Sequence, residues 1–391
     1  MRVAILGNYP EDKNKILGGT HAVAWNLAEG LSRIPGVEVH AATFVQGLTA
    51  TRHEVCNGVH EHYVPSNSTL GGLTFYSIDR RRLVGTLREV QPDVIHIHGS
   101  THYPPCVWRS GFPWVMTPHG MIAKEAKMRE GLRGKLRGPL EVWYERWAYR
   151  AATDVIVCSE YILPFVRGYT KARLHWVANA IGDRYFEIPN NEVPGTILFV
   201  GVITPRKGLT YLAQAMNILK QRNVQCKLCI VGKILDADYA DGVRAYIDEN
   251  ELHDYIEWLG PVEEERLLEL YGQCSVLVLP SLEETLPTVI SQAMAAGKTV
   301  VGARSAGIPF MVHDGKTGLL ANYGDSVDFA DKIEAILSDS ELRASMGEAA
   351  REEAKAKYSS ASVAQTHLEI YEQIAGRSKT EAAAAKGSGD S

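Results

Sequence analysis

Short apolar runs recur along the whole chain, and most are followed by a stretch in which apolar residues return every three or four positions. In the first half Val3–Leu6, Val37–Thr43, Val94–Ile97, Trp114–Met116, Val155–Val157 and Leu174–Val177 read as strands buried on both faces. Helical periodicity covers Thr20–Arg33, Leu83–Val90 and Leu140–Ala151. After the polar, proline-containing stretch Glu187–Gly195 the rhythm restarts. Strands at Ile197–Val200, Leu228–Val231, Ile256–Leu259, Ser275–Leu279 and Thr299–Val301 alternate with helices at Leu209–Gln221, Val243–Glu249, Glu264–Tyr271 and Pro287–Ala296. Such alternation predicts an α/β protein with parallel sheets wrapped by helices. The restart divides it into domains 1–186 and 187–358. Helical pattern also covers Val327–Leu337, Ser340–Tyr358 and Ser360–Ala375, and residues 378–391 resemble a helical linker with a Gly/Ser spacer, read as a disordered tail.

Composition narrows the picture only slightly. A length of 391 residues suits two domains, and 45% apolar with 22% charged residues is ordinary for a globular protein. The net charge of −5 argues against a generally basic nucleic-acid binder. No apolar run approaches the roughly 20 residues that span a bilayer, and the first residues run directly into a strand, so a cytoplasmic protein is expected. The six cysteines have no disulfide-framework spacing. Cys226 and Cys229 form a C-x-x-C inside a predicted strand and read as core thiols.

The richest stretch is Pro280–Gly297. The buried run Ser275–Leu279 ends at Pro280, a helix is expected to begin at Pro287, and Gly297 suits a C-terminal cap. Val289, Ile290, Ala293 and Met294 share one face. Thr288, Ser291 and Gln292 share the other, and Gln292 is expected to lean toward the loop carrying Glu284. A carboxylate, an amide and free helix N–H groups then meet at the carboxyl end of a buried strand, where open α/β sheets bind ligands.

This segment resembles the signature of the retaining glycosyltransferase family GT4, Pro-Ser-x-x-Glu-(Gly/Thr)-x-x-Leu-Pro-x-x-x-x-Glu-Ala-Met-Ala-x-Gly. The resemblance implies a GT-B fold, two Rossmann-like doubly wound parallel-sheet domains facing across a cleft, with the last helix, 359–377, crossing back to the N-terminal domain. It implies that Glu284 contacts hydroxyls of a donor sugar, that Thr285, Leu286, Pro287 and Thr288 line the donor, and that position 292 holds the ribose. Gln292 stands where the family has a second glutamate, so the contact is neutral.

Other segments fit the same resemblance. Gly201-Val-Ile-Thr-Pro-Arg-Lys-Gly208 follows a buried strand, and adjacent cations at a helix start suit a diphosphate. Lys207 and Gly201 match the family pattern Gly-Arg-x-x-x-x-Lys-Gly. Val202 replaces its arginine, and Arg206 is expected to compensate. Gly18 and Gly19 match the glycine loop after the first strand. His119, past the end of the strand Trp114–Met116, matches a histidine that contacts the donor sugar, whereas His96 and His98 read as structural. Gly232 ends a strand where the nucleotide base is held.

Lys124–Arg150 carries eight basic and four acidic residues with interleaved Trp143, Tyr144, Trp147 and Tyr149. It fits either peripheral membrane contact or an ordinary amphipathic helix. The resulting expectation is a retaining, metal-independent hexosyltransferase. It would move a sugar from a UDP-sugar rather than a GDP-sugar to a carbohydrate or lipid-linked acceptor, in polysaccharide or glycoconjugate synthesis. No cofactor is expected, and Glu284 and Lys207 are expected to carry turnover while leaving thermal stability nearly unchanged. A GT-B sugar-nucleotide epimerase and a catalytically silent sugar-nucleotide-binding scaffold are the alternatives.

Overall fold

A computed structural model describes residues 1–11, 19–66, 74–124 and 132–387. The chain divides into two compact units, Met1–Ala180 with Ser360–Ser391, and Ile181–Ser359.

The first unit is built on strands β1 (Arg2–Leu6), β2 (Glu38–Gln46), β3 (Arg52–Cys56), β4 (Val59–Ser66), β5 (Val94–His98), β6 (Trp114–Thr117), β7 (Asp154–Val157) and β8 (Arg173–Trp176). They form one sheet in the order β3-β4-β2-β1-β5-β6-β7-β8. All pairings are parallel except β3 with β4. That edge hairpin was not expected from the apolar pattern. Its turn is Asn57-Gly58, both at positive φ (50° and 78°), the geometry a two-residue hairpin needs. Strands β1 and β5 are followed in opposite directions by the rest of the sheet, so their carboxyl ends form the switch point where such sheets open a crevice.

Helices α1 (Gly19–Ser32), α2 (Ser77–Val90), α3 (Tyr103–Val107), α4 (Leu132–Ala151) and α5 (Leu163–Arg167) connect these strands. The second unit follows, on β9 (Thr196–Val200), β10 (Lys227–Val231), β11 (Ile256–Gly260), β12 (Val276–Leu279), β13 (Thr299–Ala303) and β14 (Gly318–Ala321), all parallel, in the order β11-β10-β9-β12-β13-β14. Its switch point lies between β9 and β12. Helices α6 (Leu209–Gln221), α7 (Ala237–Glu249), α8 (Glu264–Gln273), α9 (Thr288–Ala295), α10 (Ser326–Ser338) and α11 (Ser340–Tyr358) belong to it.

The last helix, α12 (Ser360–Gly387), packs in the core of the first unit. Val363, Ala364, Leu368, Ile370, Tyr371 and Ile374 join Leu27, Ala28, Leu31, Val3 and Ile5 there. Contact with α1 is close enough that a Cβ at Gly30 would sit 2.6 Å from the Ser360 carbonyl. Arg377, past the middle of α12, ties the helix to Asp154 by a 2.7 Å bond, and Asp154 also takes His175 at 2.9 Å and Arg173 at 3.2 Å. Burial would raise the Asp154 pKa, but the bonds from His175 and Arg173 and the charges of Arg377 and Arg173 outweigh it and hold it well below the usual carboxylate range. The helix runs on to Gly387, past Ala375 where the apolar pattern ends and into the stretch 378–391 read from the sequence as a disordered tail, and residues 388–391 lie outside those described.

Candidate functional site

The second unit gathers its site residues at the β9/β12 switch point. Strand β9 ends at Val200, and a single 3₁₀ turn, Pro205–Lys207, leads through Gly208 into α6. Gly208 has φ +68°, and a Cβ there would lie 2.2 Å from the Pro280 carbonyl, so this glycine allows the β9 and β12 loops to touch. Leu282 donates its N–H to the Arg206 carbonyl at 2.8 Å, and Gly307 donates to the Glu284 carbonyl at 2.7 Å. Three loops are thereby knitted around Glu284.

Lys207 Nζ lies 2.5 Å from Glu284 Oε1, with the two side chains 9% and 11% exposed. Arg206 Nη1 donates to the Glu283 carbonyl and lies 3.5 Å from the same Glu284 oxygen. Gly201 clears the way for this pairing, since a Cβ there would stand 3.3 Å from Lys207 Cε. Gly232 in turn backs onto Gly201, where a Cβ would fall 1.8 Å from the Gly201 carbonyl. The predicted residues Gly201, Arg206, Lys207, Gly232 and Glu284 are thus neighbours in space. The burial of the pair changes one expectation. Removing either partner strands a charge out of water, so Glu284 and Lys207 are expected to contribute to stability.

Thr285, Leu286 and Thr288 are half-buried, and Pro287 is buried. Helix α9 begins at Thr288 rather than Pro287. Pro287 is its N-cap in extended geometry (φ −68°, ψ 114°), and no side chain caps the helix. Two hydroxyls missed in the sequence belong here. Thr204 Oγ1 and Ser281 Oγ, in the β9 and β12 loops, are buried without a hydrogen-bond partner among the described residues. Buried polar atoms are rarely left so.

Gln292 sits one turn into α9, and its side chain meets α8 rather than the Glu284 loop. Tyr271 Oη lies 3.0 Å from its Oε1 and 3.3 Å from the Val289 carbonyl. The phenol has one proton, and the shorter contact gives it to Gln292, so the amide oxygen already accepts one hydrogen bond from the neighbouring helix and keeps one lone pair.

In the first unit Gly18 lies outside the described residues, and Gly19 opens α1, exposed. His119 stands two residues beyond β6, half-buried, its Nε2 2.9 Å from His98 Nδ1. Burial pushes its pKa down to about 4. The stretch 124–150 is described only in part. Glu145 is fully buried and accepts from the backbone N–H groups of Ile122 (3.0 Å) and Ala123 (3.2 Å), so it anchors the local chain. Tyr144 and Tyr149 are also buried, whereas Trp143 is 51% exposed. Among the described residues no helix is long and apolar enough to cross a membrane, and no group of three or more His, Cys, Asp or Glu is placed to hold a metal ion. All six cysteines are free thiols.

Comparison with known proteins fits this geometry. The model of glycosyl transferases group 1 matches residues 183–353, and that of glycosyltransferase family 4 matches residues 17–183. Among relatives, an uncharacterised glycosyltransferase from Methanocaldococcus jannaschii is 26% identical over 366 residues, 92% of this chain and 95% of its own. Sucrose-phosphate synthase from Thermosynechococcus elongatus superposes with a TM-score of 0.76 at 21% identity, over 95% of this chain and 98% of that one. Anabaena HepE, solved with UDP and glucose, superposes with a TM-score of 0.71 at 18% identity, over 95% and 100% of the two chains. Two α/β units, each on a largely parallel sheet, define the GT-B class. The chain belongs to the group 1, family 4 glycosyltransferases.

Proposed function

We propose that the protein transfers a sugar from a UDP-sugar to a carbohydrate or lipid-linked acceptor, retaining the anomeric configuration and needing no metal ion. The observation that carries this reading is the convergence of Lys207 and Arg206 on Glu284 at the β9/β12 switch point, beside an uncapped helix N-terminus. A diphosphate entering there meets two cations and the dipole of α9.

In the proposed reaction the bond from the anomeric carbon to the diphosphate breaks while the acceptor oxygen bonds that carbon from the same face. The acceptor's proton passes to the departing phosphate oxygen. Lys207 and Arg206 hold the charge that builds on the leaving group, while Glu284 accepts hydrogen bonds from sugar hydroxyls and keeps Lys207 aimed. His119 is assigned a contact with the donor sugar, and Gly18 and Gly19 the approach of the backbone to it. Gln292 is assigned the ribose, through the remaining lone pair of its amide oxygen. UDP in the Anabaena relative supports a uridine donor. The site of action is placed in the cytoplasm, with Trp143 the exposed aromatic available for peripheral membrane contact.

Hydrolysis of a panel of nucleotide sugars in excess EDTA tests the donor class, and the anomeric proton coupling of the product tests retention. Release of a UDP-sugar's hexose with unchanged configuration supports the reading. Activity that disappears in EDTA and returns with Mg²⁺ contradicts its metal-free part, and a free epimerised sugar made without acceptor favours the epimerase instead. The departures at Val202 and Gln292 favour the silent scaffold as a second reading, which predicts nucleotide binding but no product from any donor.

A further inference from the structure

Four buried or half-buried histidines, His96, His98, His119 and His367, gather at the carboxyl end of the first unit's sheet. Ring centroids are 4.3 Å apart for His96 and His98 and 5.1 Å for His98 and His119. Their bonding differs. His96 uses both nitrogens, Nδ1 with Tyr371 Oη at 2.6 Å and Nε2 with Thr117 Oγ1 at 2.7 Å, as a structural histidine does. His98 and His119 share a single contact, His98 Nδ1 with His119 Nε2, and each keeps one buried nitrogen with no partner among the described residues.

Strand geometry explains how they meet. Alternate residues face one side of a sheet, so His96 and His98 project together, and register pairs His98 with Thr117, two residues before His119. The end of β1 makes room, since a Cβ at Gly7 would stand 2.8 Å from His98 Cβ. His98 also lines a cavity with Asn179 and His367, of about 10 Å³. Burial, helped by its neighbours His119 and His367, keeps His98 neutral well below the usual histidine range.

From this pairing we infer that His98 is a positioning residue for the transfer reaction, fixing the ring plane and tautomer of His119 and so the orientation of the half-buried ring that faces the substrate. Two neutral imidazoles joined by one hydrogen bond share one proton between them. If His98 donates, His119 Nδ1 carries its own proton and offers a donor. If His98 accepts, His119 Nδ1 is a bare acceptor. Either way the tautomers of the two rings are coupled, which those of rings held only by packing would not be.

The inference rests on the proposed role of His119, and the test separates the two. Long-range nitrogen NMR of the histidine rings reads the tautomer of His119 in the whole protein, without any activity. The parent should show one neutral tautomer, His98→Phe a mixture, and His98→Asn, whose amide nitrogen occupies the place of Nδ1, a return toward one. Hydrolysis of the donor should fall about tenfold in kcat for His98→Phe, with little change in UDP affinity, and recover in His98→Asn. A mixed tautomer in the parent, or a single tautomer kept in His98→Phe, overturns the inference, as does a kcat within twofold of the parent. Should His119→Ala keep full turnover while the tautomer results hold, the role of His119 in the reaction is what fails, and the pairing stands.

Discussion

The two units place opposite kinds of chemistry at the carboxyl ends of similar sheets. The second unit concentrates charge, with Lys207, Arg206 and Glu284 meeting within 3.5 Å. The first unit assembles neutral imidazoles. Eleven of the 13 histidines lie in the first unit and two, His253 and His313, in the second, and every histidine whose pKa is displaced downward belongs to the first. In the second site opposite charges pair directly, Lys207 and Arg206 with Glu284, and Arg206 also donates to the Glu283 carbonyl. The first site instead depends on burial, which suppresses charge and leaves directional hydrogen bonds as the means of recognition.

The largest expected effect separates the units by pH. His96, His98 and His367 are held neutral by burial, with folded pKa values below the unfolded value near 6.5. As pH falls below that value the unfolded chain binds protons that the folded unit refuses, so the native state loses stability. Each group contributes about 1.4 kcal/mol per pH unit until its own folded pKa is reached. Scanning calorimetry between pH 7.5 and about 4.5 should show the first unit's transition moving down steeply while the second unit's moves little. Parallel movement of both would break the contrast.

The charged site responds to substitution instead. Lys207→Ala or Glu284→Ala should lower turnover by a factor on the order of 10² or more. Each should also destabilise the second unit by roughly 3 kcal/mol, because the remaining charge is left buried. The double variant Lys207→Met with Glu284→Gln should recover much of the stability and none of the activity. Thermal melts beside a turnover assay check this, and an additive loss of stability in the double variant would contradict the pairing.

Gly307→Ala is expected to come next. Its Cβ would lie 2.0 Å from the Thr285 carbonyl and force the Glu284 loop to move, at about 1–3 kcal/mol. Weakened UDP binding with an intact fold by circular dichroism is the expected result. The smallest effect is at position 292. Gln292→Glu replaces a neutral hydrogen bond by a charged one, worth roughly 1 kcal/mol, so UDP should bind about fivefold tighter with turnover at saturation little changed. Isothermal titration checks it.

Much of the second site was legible because its residues sit in short loops directly after buried strands. Within those loops Gly201, Lys207 and Glu284 were picked out by their match to the family's motifs. What spacing did not show is that Lys207 and Glu284 pair across 77 positions of sequence. The hairpin Arg52–Ser66 was missed because its strands alternate His, Glu and Arg with few apolar residues, although Asn57-Gly58 is a turn signal. His98 was read as structural because it lies on a central strand. Only the register of β5 with β6 brings it to His119, and register is a tertiary property. The aim of Gln292 toward α8 likewise depends on Tyr271, from a different helix.

The central claim is that Lys207 and its neighbours bind the diphosphate of a nucleotide donor. Calorimetric titration of UDP into the parent and into Lys207→Met, both in excess EDTA, tests it most directly. One site per chain is expected in the parent and a loss of affinity on the order of 10²-fold in the variant, the size expected for removing a buried charge-assisted contact. Equal affinity in the two proteins, or binding by the parent only after Mg²⁺ is restored, would contradict it.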